Sequence, residues 1–500
     1  MSATFNGSSK KIISTIAGPL SFFVILLLPL DGELSNEAQS VLAVTAWVAI
    51  WWITEAIPIP ATSLLPIILF PLTGALDITK TASSYGHKMI FLYMGGFIIA
   101  LAIEKWNLHK RIALQTIYWI GKDADRIILG FMLATYVLSM WISNTATTMM
   151  MLPIAVAVAK QFGGISNNEQ DLSGHKKLNS SFGLPLMLGI AYAASIGGIT
   201  TLIGTPTNAM LSAVVKDLFD QEIDFAKWMT ISLPISVLLL VICWVYLVKI
   251  MFPVRNNTNS GGYEEIKKEL NSLGSLTSDE VKVIIVFAIT ALSWILRSFL
   301  LKRFIPGIDD TIIALFGAVL LFLIPSSKKG ERLMNWETAR KLPWGILILF
   351  GGGLALASGF QSSGLAAWLG GSLKSLDNVS FIILLFAVSA MVNFLTEVTS
   401  NVATASILLP VLASLAVVMG VHPYALMIAA TLSASCAFML PVATPPNAVV
   451  FSTGYIQIKQ MVRAGLFLNI ISVLIIVLAL WFLLPLIWGI DPKVLPEFAK

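Results

Sequence analysis

Charge is scarce in this chain. Lys, Arg, Asp and Glu together make up 12% of its 500 residues, against 57% in the hydrophobic class. A soluble chain of this length needs far more surface charge, which excludes a large water-soluble enzyme. Many apolar stretches approach or reach spanning length, so the sequence reads as a polytopic membrane protein in the lipid bilayer. Cysteine is nearly absent. Cys243 and Cys436 both lie in apolar runs, which argues against a disulfide or a zinc site. The four histidines, His87, His109, His175 and His422, are placed near loops. No nucleophile–base pair, phosphate loop or metal-ligand cluster is present, so an enzyme is not expected. The formal net charge of +5 suits loops facing anionic headgroups, and without a DNA-binding pattern it implies no nucleic acid. Lys10-Lys11 precedes an apolar segment with no small-residue cleavage pattern, so that segment reads as a retained first helix.

Polar residues in apolar surroundings are what the chain does have. Trp141-Ile142-Ser143-Asn144-Thr145-Ala146-Thr147-Thr148 places five hydroxyl or amide side chains inside a long apolar region. Such groups must find partners, and a membrane protein meets that need by breaking a helix around an ion or substrate. The arrangement recurs. One separation of 257 residues takes Ser143 to Ser400, Asn144 to Asn401, Pro153 to Pro410 and Gly95-Gly96 to Gly352-Gly353. Thr205-Pro206-Thr207-Asn208 matches Thr444-Pro445-Pro446-Asn447 at a separation of 239. Four coincidences at one offset indicate a duplicated unit, and the shorter second separation is explained by the polar stretch 161–182 in the first half.

The expected order follows. Residues 12–30 span, 31–40 form a short loop, and 41–76 form an apolar region broken at Glu55-Ala56-Ile57-Pro58-Ile59-Pro60, long enough for two passes. Residues 89–103 span, and the basic loop 105–126 faces the cytoplasm together with the N-terminus. Residues 127–160 make a hairpin that enters and leaves on one side, with its tip at Ser143-Asn144-Thr145. A helix over 183–203 breaks at 204–208, 228–250 spans, and 251–280 is a solvated linker between halves. The second half repeats the pattern, with spans at 281–300, 311–325 and 344–360, a second hairpin flanked by 380–395 and 406–419, and a break at 441–447. The last span covers 464–487. Duplicated transporters of this kind carry their halves inverted.

The two tips and two breaks assemble Ser143, Asn144, Thr145, Ser400, Asn401, Thr205 and Thr444. Neutral oxygens suit Na+, and half-helix N-termini with amide or hydroxyl donors suit a carboxylate or sulfate. Interhelical hydrogen bonding is the bland alternative for such residues, and the pairing of the motifs favours function over it. His87-Lys88 is a candidate for drawing an anion, with interfacial anchoring as the default. Glu55 reads as an interfacial carboxylate.

With these residues in view, the chain resembles the divalent anion:sodium symporter family, the bacterial and animal di- and tricarboxylate transporters. The features that carry the likeness are Ser143-Asn144-Thr145, Ser400-Asn401-Val402, the run from Ser435 to Asn447, Trp52-Ile53-Thr54-Glu55-Ala56-Ile57-Pro58, and Glu104-Lys105-Trp106-Asn107-Leu108-His109-Lys110-Arg111. The resemblance covers about residues 12 to 487. It implies an all-α polytopic membrane protein of inverted repeats, with two re-entrant hairpins, unwound helices and eleven spans. It also implies a homodimer through scaffold domains and an elevator motion. On this reading 1–126 is the first scaffold part, 127–255 the first transport part, 256–379 the linker and second scaffold part, and 380–500 the second transport part. The resemblance maps a first sodium site to Ser139, Ser143, Asn144 and Gly204, and a second to Thr396, Thr399, Asn401 and Ala443. Substrate carboxylates would meet Asn144, Thr145, Thr205, Pro206, Asn401, Val402, Thr444 and Pro445. Val402 stands where several bacterial relatives have threonine, and its side chain donates no hydrogen bond. The implied function is Na+-coupled transport of C4-dicarboxylates such as succinate, malate or fumarate across the cytoplasmic membrane. The alternatives are sodium-independent dicarboxylate exchange, citrate or sulfate transport on the same fold, and an anion channel.

Overall fold

The computed structural model describes residues 3–29, 34–161, 165–170, 176–178, 182–254, 261–372 and 379–500. Helix dominates, as it must where a backbone in hydrocarbon has to satisfy its own polar groups. The first half runs through α1 (Ala3–Leu27), α2 (Asn36–Thr54), α3 (Ile59–Thr62), α4 (Leu65–Thr73), α5 (Ile78–Ser84), α6 (Lys88–Lys105), α7 (Leu108–Ile120), α8 (Ala124–Ser139) and α9 (Asn144–Gln161). A small antiparallel pairing of β1 (Ile165–Gln170) with β2 (Lys176–Leu178) follows, within the stretch expected to be a plain loop. Then come α10 (Gly183–Gly198), α11 (Pro206–Phe219), α12 (Phe225–Val245) and α13 (Gly261–Ser272). The second half holds α14 (Ser278–Leu296), α15 (Lys302–Phe304), α16 (Asp310–Leu323), α17 (Trp336–Ala339), α18 (Trp344–Ser362), α19 (Leu365–Ser372), α20 (Phe381–Leu395) and α21 (Asn401–Val418). It ends with α22 (Pro423–Ala434), α23 (Pro445–Ser452) and α24 (Ile458–Trp488).

Among the described residues, six helices are long and apolar enough to cross a membrane, and shorter apolar helices accompany them. On α14, Ile285, Ile289, Leu292 and Leu296 are exposed at helical spacing, and on α24 so are Phe467, Ile470, Leu474 and Leu478. Stripes of this kind are stable against lipid and not against water.

The proline-broken region resolves into two helical arms. α2 ends at Glu55, which is exposed and adopts φ 47°, and the chain turns through Pro58 and Pro60. α4 then returns against α2, and Trp52 Nε1 donates to Ser63 Oγ at 3.1 Å across the turn. The expected loop 31–40 is shorter than its polarity suggests, because Ser35 caps α2 by accepting from Ala38 N at 3.1 Å.

Two further stretches read as loops are ordered helices. The basic stretch 105–126 contains α7, where Lys110 Nζ lies 2.9 Å from Glu269 and Arg111 Nε lies 2.7 Å from Glu280. The linker contains α13, which packs on both α7 and α9. Their charges occupy one helix face, so overall polarity hid an apolar face. Glycines allow the close approaches expected of them. A Cβ at Gly95 would lie 2.7 Å from Ala314 C, and one at Gly352 would lie 2.9 Å from Ser63 Cβ.

A cluster of aromatic rings ties the C-terminal residues to both halves. Phe498 lies 5.6 Å from His422 and 5.8 Å from Phe219 between ring centroids, and His422 N donates to Pro492 O at 3.1 Å. His422 caps α22 and is 4% exposed. Burial, with Lys227 nearby, lowers its pKa to about 4. The folded state thus keeps this imidazole neutral, whereas the unfolded chain takes up a proton near pH 6.5. Stability should fall as pH drops from about 6.5 towards 4, by about 2 kcal/mol between pH 7 and pH 5. Thermal midpoints at the two pH values check this, and His422→Gln should flatten the difference.

Candidate functional site

Each tip is a helix end, a short turn and a new helix start. α8 stops at Ser139, and Ser143 caps α9 by accepting from Ala146 N at 3.2 Å. Ser139 Oγ lies 2.6 Å from Asn144 Oδ1 and 2.7 Å from Ala194 O. The second tip repeats this arrangement. Thr396 Oγ1 lies 2.6 Å from Asn401 Oδ1 and 3.0 Å from Ala434 O. A hydroxyl has one proton, so in each trio it can donate to only one of the two oxygens beside it. That donor set fits a cation such as Na+. The tips differ in detail. Ser400 makes no side-chain cap bond, and Thr399 Oγ1 donates to Leu395 O at 2.9 Å and meets Thr404 Oγ1 at 2.7 Å.

Each break is held by an asparagine. α10 ends at Gly198 and α11 begins at Pro206, which lacks an N–H and so suits a first helical position. Across this gap Asn208 Nδ2 lies 3.1 Å from Gly198 O, 3.2 Å from Ile199 O and 2.7 Å from Thr201 O. In the second half Asn447 Nδ2 donates to Ala437 O at 3.2 Å and Leu440 O at 3.1 Å. The separation of 239 that relates the two Thr-Pro motifs also relates Gly198 to Ala437 and Thr201 to Leu440. Asn208 and Asn447 are fully buried. Neither was among the expected site residues, although both stand in the matched motifs. Thr444 Oγ1 accepts from Asn447 N at 3.3 Å, whereas Thr205 caps with its backbone alone.

The repeats then cross. α9 of the first hairpin packs on α23, and α21 of the second hairpin packs on α11. Thr207 Oγ1 meets Ser435 Oγ at 2.9 Å, joining the first half-helix to the second break. A Cβ on Gly198 would lie 2.6 Å from Asn144 Oδ1, so glycine is what lets the tip seat against α10. The N-termini of α9, α11, α21 and α23 border the tips and breaks, as do the C-termini of α8, α10, α20 and α22. The former carry partial positive charge and suit an anion, while the latter offer free carbonyls to a cation.

Burial sorts the expected residues. Ser139, Gly204, Thr205, Thr396, Thr399, Ala443 and Thr444 are buried. Ser143, Asn144, Thr145, Pro206, Asn401 and Val402 are half-buried, and Pro445 is exposed. Val402 packs against a smaller apolar cluster built on α1, α2, α4 and α18. His87 and Lys88 do not offer free positive charge. His87 Nε2 lies 3.3 Å from Asp217, and Lys88 Nζ lies 3.7 Å from Asp309 and 4.0 Å from Glu222.

A family model described as the sodium:sulfate symporter transmembrane region matches residues 9–488. The sodium-dependent dicarboxylate transporter SdcS of Staphylococcus saprophyticus is 47% identical over 485 residues, covering 96% of this chain and 93% of that one. SdcS of Staphylococcus aureus is likewise 47% identical over 488 residues, covering 97% and 93%. Among solved structures, the YdaH transporter of Alcanivorax borkumensis aligns with a TM-score of 0.58 at 14% identity, over 83% of this chain and 89% of that one. MtrF of Neisseria gonorrhoeae aligns at 0.56 and 14% identity, over 90% and 96%. These two likenesses concern the fold alone. The matched span and the paired tips and breaks agree, and the chain belongs to the sodium:sulfate symporter family.

Proposed function

We propose that this protein imports C4-dicarboxylates such as succinate, malate or fumarate across the cytoplasmic membrane, driven by Na+. The observation that carries the reading is the repeated trio of oxygens, Ser139–Asn144–Ala194 and Thr396–Asn401–Ala434, in each of which one hydroxyl proton faces two oxygens. Na+ bound at Ser139, Ser143, Asn144 and Gly204, and again at Thr396, Thr399, Asn401 and Ala443, supplies the positive charge that the tips lack in side chains. An anion then binds between the tips through Asn144, Thr145, Asn401 and Thr444, with Thr205, Pro206, Val402 and Pro445 as further lining. The printed names of the SdcS relatives support both the ion and the substrate class.

Alternating access on this reading is an elevator motion. Residues 127–255 and 380–500 move as the transport body against 1–126 and 256–379, and the protein works as a homodimer through the latter. The N-terminus and the basic 105–126 stretch face the cytoplasm. The ion pairs of His87 and Lys88 weigh against sodium-independent exchange, since no fixed positive charge there replaces a bound cation.

Proteoliposomes test the proposal. An inward Na+ gradient should drive radiolabelled succinate above its equilibrium level, and an equal K+ gradient should not. Uptake that depends strictly on internal dicarboxylate, whatever the cation, would overturn symport in favour of exchange.

A further inference from the structure

The second tip carries a carboxylate where the first carries a thioether. The separation that pairs Ser139 with Thr396 also pairs Met140 with Glu397. Glu397 is 3% exposed, although it lies between two residues of the second tip. Its Oε1 accepts from Met439 N at 3.0 Å and from Asn469 Nδ2 at 2.6 Å, and its Oε2 accepts from Leu440 N at 2.9 Å. Asn469, buried on α24, accepts in turn from Phe438 N at 3.1 Å. Three consecutive amides of the second unwound segment are therefore held by Glu397 and Asn469. Leu440 O accepts from Ala443 N at 3.2 Å and from Asn447 Nδ2 at 3.1 Å, which carries the hold to the end of the break. The first half has a neutral link in the same place, where Thr201 Oγ1 donates to Met140 O at 2.5 Å.

Among the described residues, no ion pair reaches Glu397, and its hydrogen-bond partners are all amides. A buried carboxylate without a cationic partner is costly, and a cation bound beside it offsets that cost. We propose that Glu397 is a positioning residue for the second cation. It fixes residues 438–440 against the second tip, and its negative charge makes the second Na+ site the tighter of the two. The inference rests on the Na+-coupled reading above.

Glu397→Gln tests it in two readouts on purified protein in proteoliposomes or lipid nanodiscs. The first is succinate uptake against Na+ concentration, and the second is the rise in thermal midpoint on adding Na+ without substrate. We expect half-saturating Na+ to rise on the order of tenfold in both, from the loss of one nearby charge. The succinate KM at saturating Na+ should stay within about twofold, since the anion does not touch Glu397. Asn469→Ala keeps the charge and loosens its hold, so its Na+ curve should move less than that of Glu397→Gln. If both Na+ readouts stay at wild-type values in Glu397→Gln, the proposal is overturned. If Glu397→Gln does not fold, Glu397→Asp is read instead. There a shift of about threefold or more in half-saturating Na+ supports the proposal, and an unmoved curve overturns it. A wild type that ignores Na+ altogether removes the underlying functional reading, a result separate from either outcome.

Discussion

Asn144→Ala and Asn401→Ala should each abolish succinate uptake while leaving membrane insertion intact. Each side chain is asked to do two things. Its Oδ1 completes an oxygen trio with Ser139 or Thr396, and it sits at the first position of a helix that points its amides at the anion. Interactions with charged groups are worth about 1.5–3 kcal/mol each, so losing two costs at least about 100-fold in rate or affinity. Radiolabelled uptake in proteoliposomes, normalised to reconstituted protein, gives the answer. Uptake near wild type in both variants would remove these asparagines from the site. A single failed variant would not be rescued by the other tip, since symmetry-related sites here serve one substrate.

Arg297→Met should produce the largest loss of stability. Arg297 is 2% exposed, with Nη1 3.1 Å from Asp310 and Nη2 2.7 Å from Glu222. Its Nε donates to Ile308 O at 3.2 Å, and Asp310 also accepts from Phe225 N at 2.9 Å. The cluster therefore joins the start of α12 to the end of α14 and the start of α16. Burial pushes the Glu222 carboxyl up, and the attraction of Arg297, with Lys88 and Lys302, more than offsets it, leaving the group below its ordinary pKa. Removing the guanidinium leaves a buried acid uncompensated, which costs about 3–5 kcal/mol. A marked fall in thermal midpoint is expected, and Asp310→Asn added to Arg297→Met should recover part of it. An unchanged midpoint in the single variant would show that the cluster contributes little.

The sequence made the tips and breaks of the candidate site legible because their signals are local and unusual in a membrane. Ser143-Asn144, Ser400-Asn401 and the two Thr-Pro pairs are polar or helix-breaking where apolar helix is the rule, and a constant offset ties them together. The helices α7 and α13 were not legible, because charge along the chain says nothing about which face carries it. Lys110 and Arg111 become structural only when Glu269 and Glu280 come alongside. The parity of the early crossings was ambiguous for a related reason. The prolines at 58 and 60 mark a break but do not say whether the chain continues or turns back. Asn208, Asn447 and Glu397 were hidden differently, since most of their partners are backbone groups in unwound segments, and no periodicity announces where such groups point.

The crossing of the repeats has a consequence for biogenesis. The first hairpin rests on α23, which is translated about three hundred residues after the hairpin's own tip. The first hairpin can meet α10 soon after it is made, but its contact with α23 must wait for the last part of the chain. A chain cut short before α23 should therefore lack this contact between the repeats, however well its earlier helices have formed.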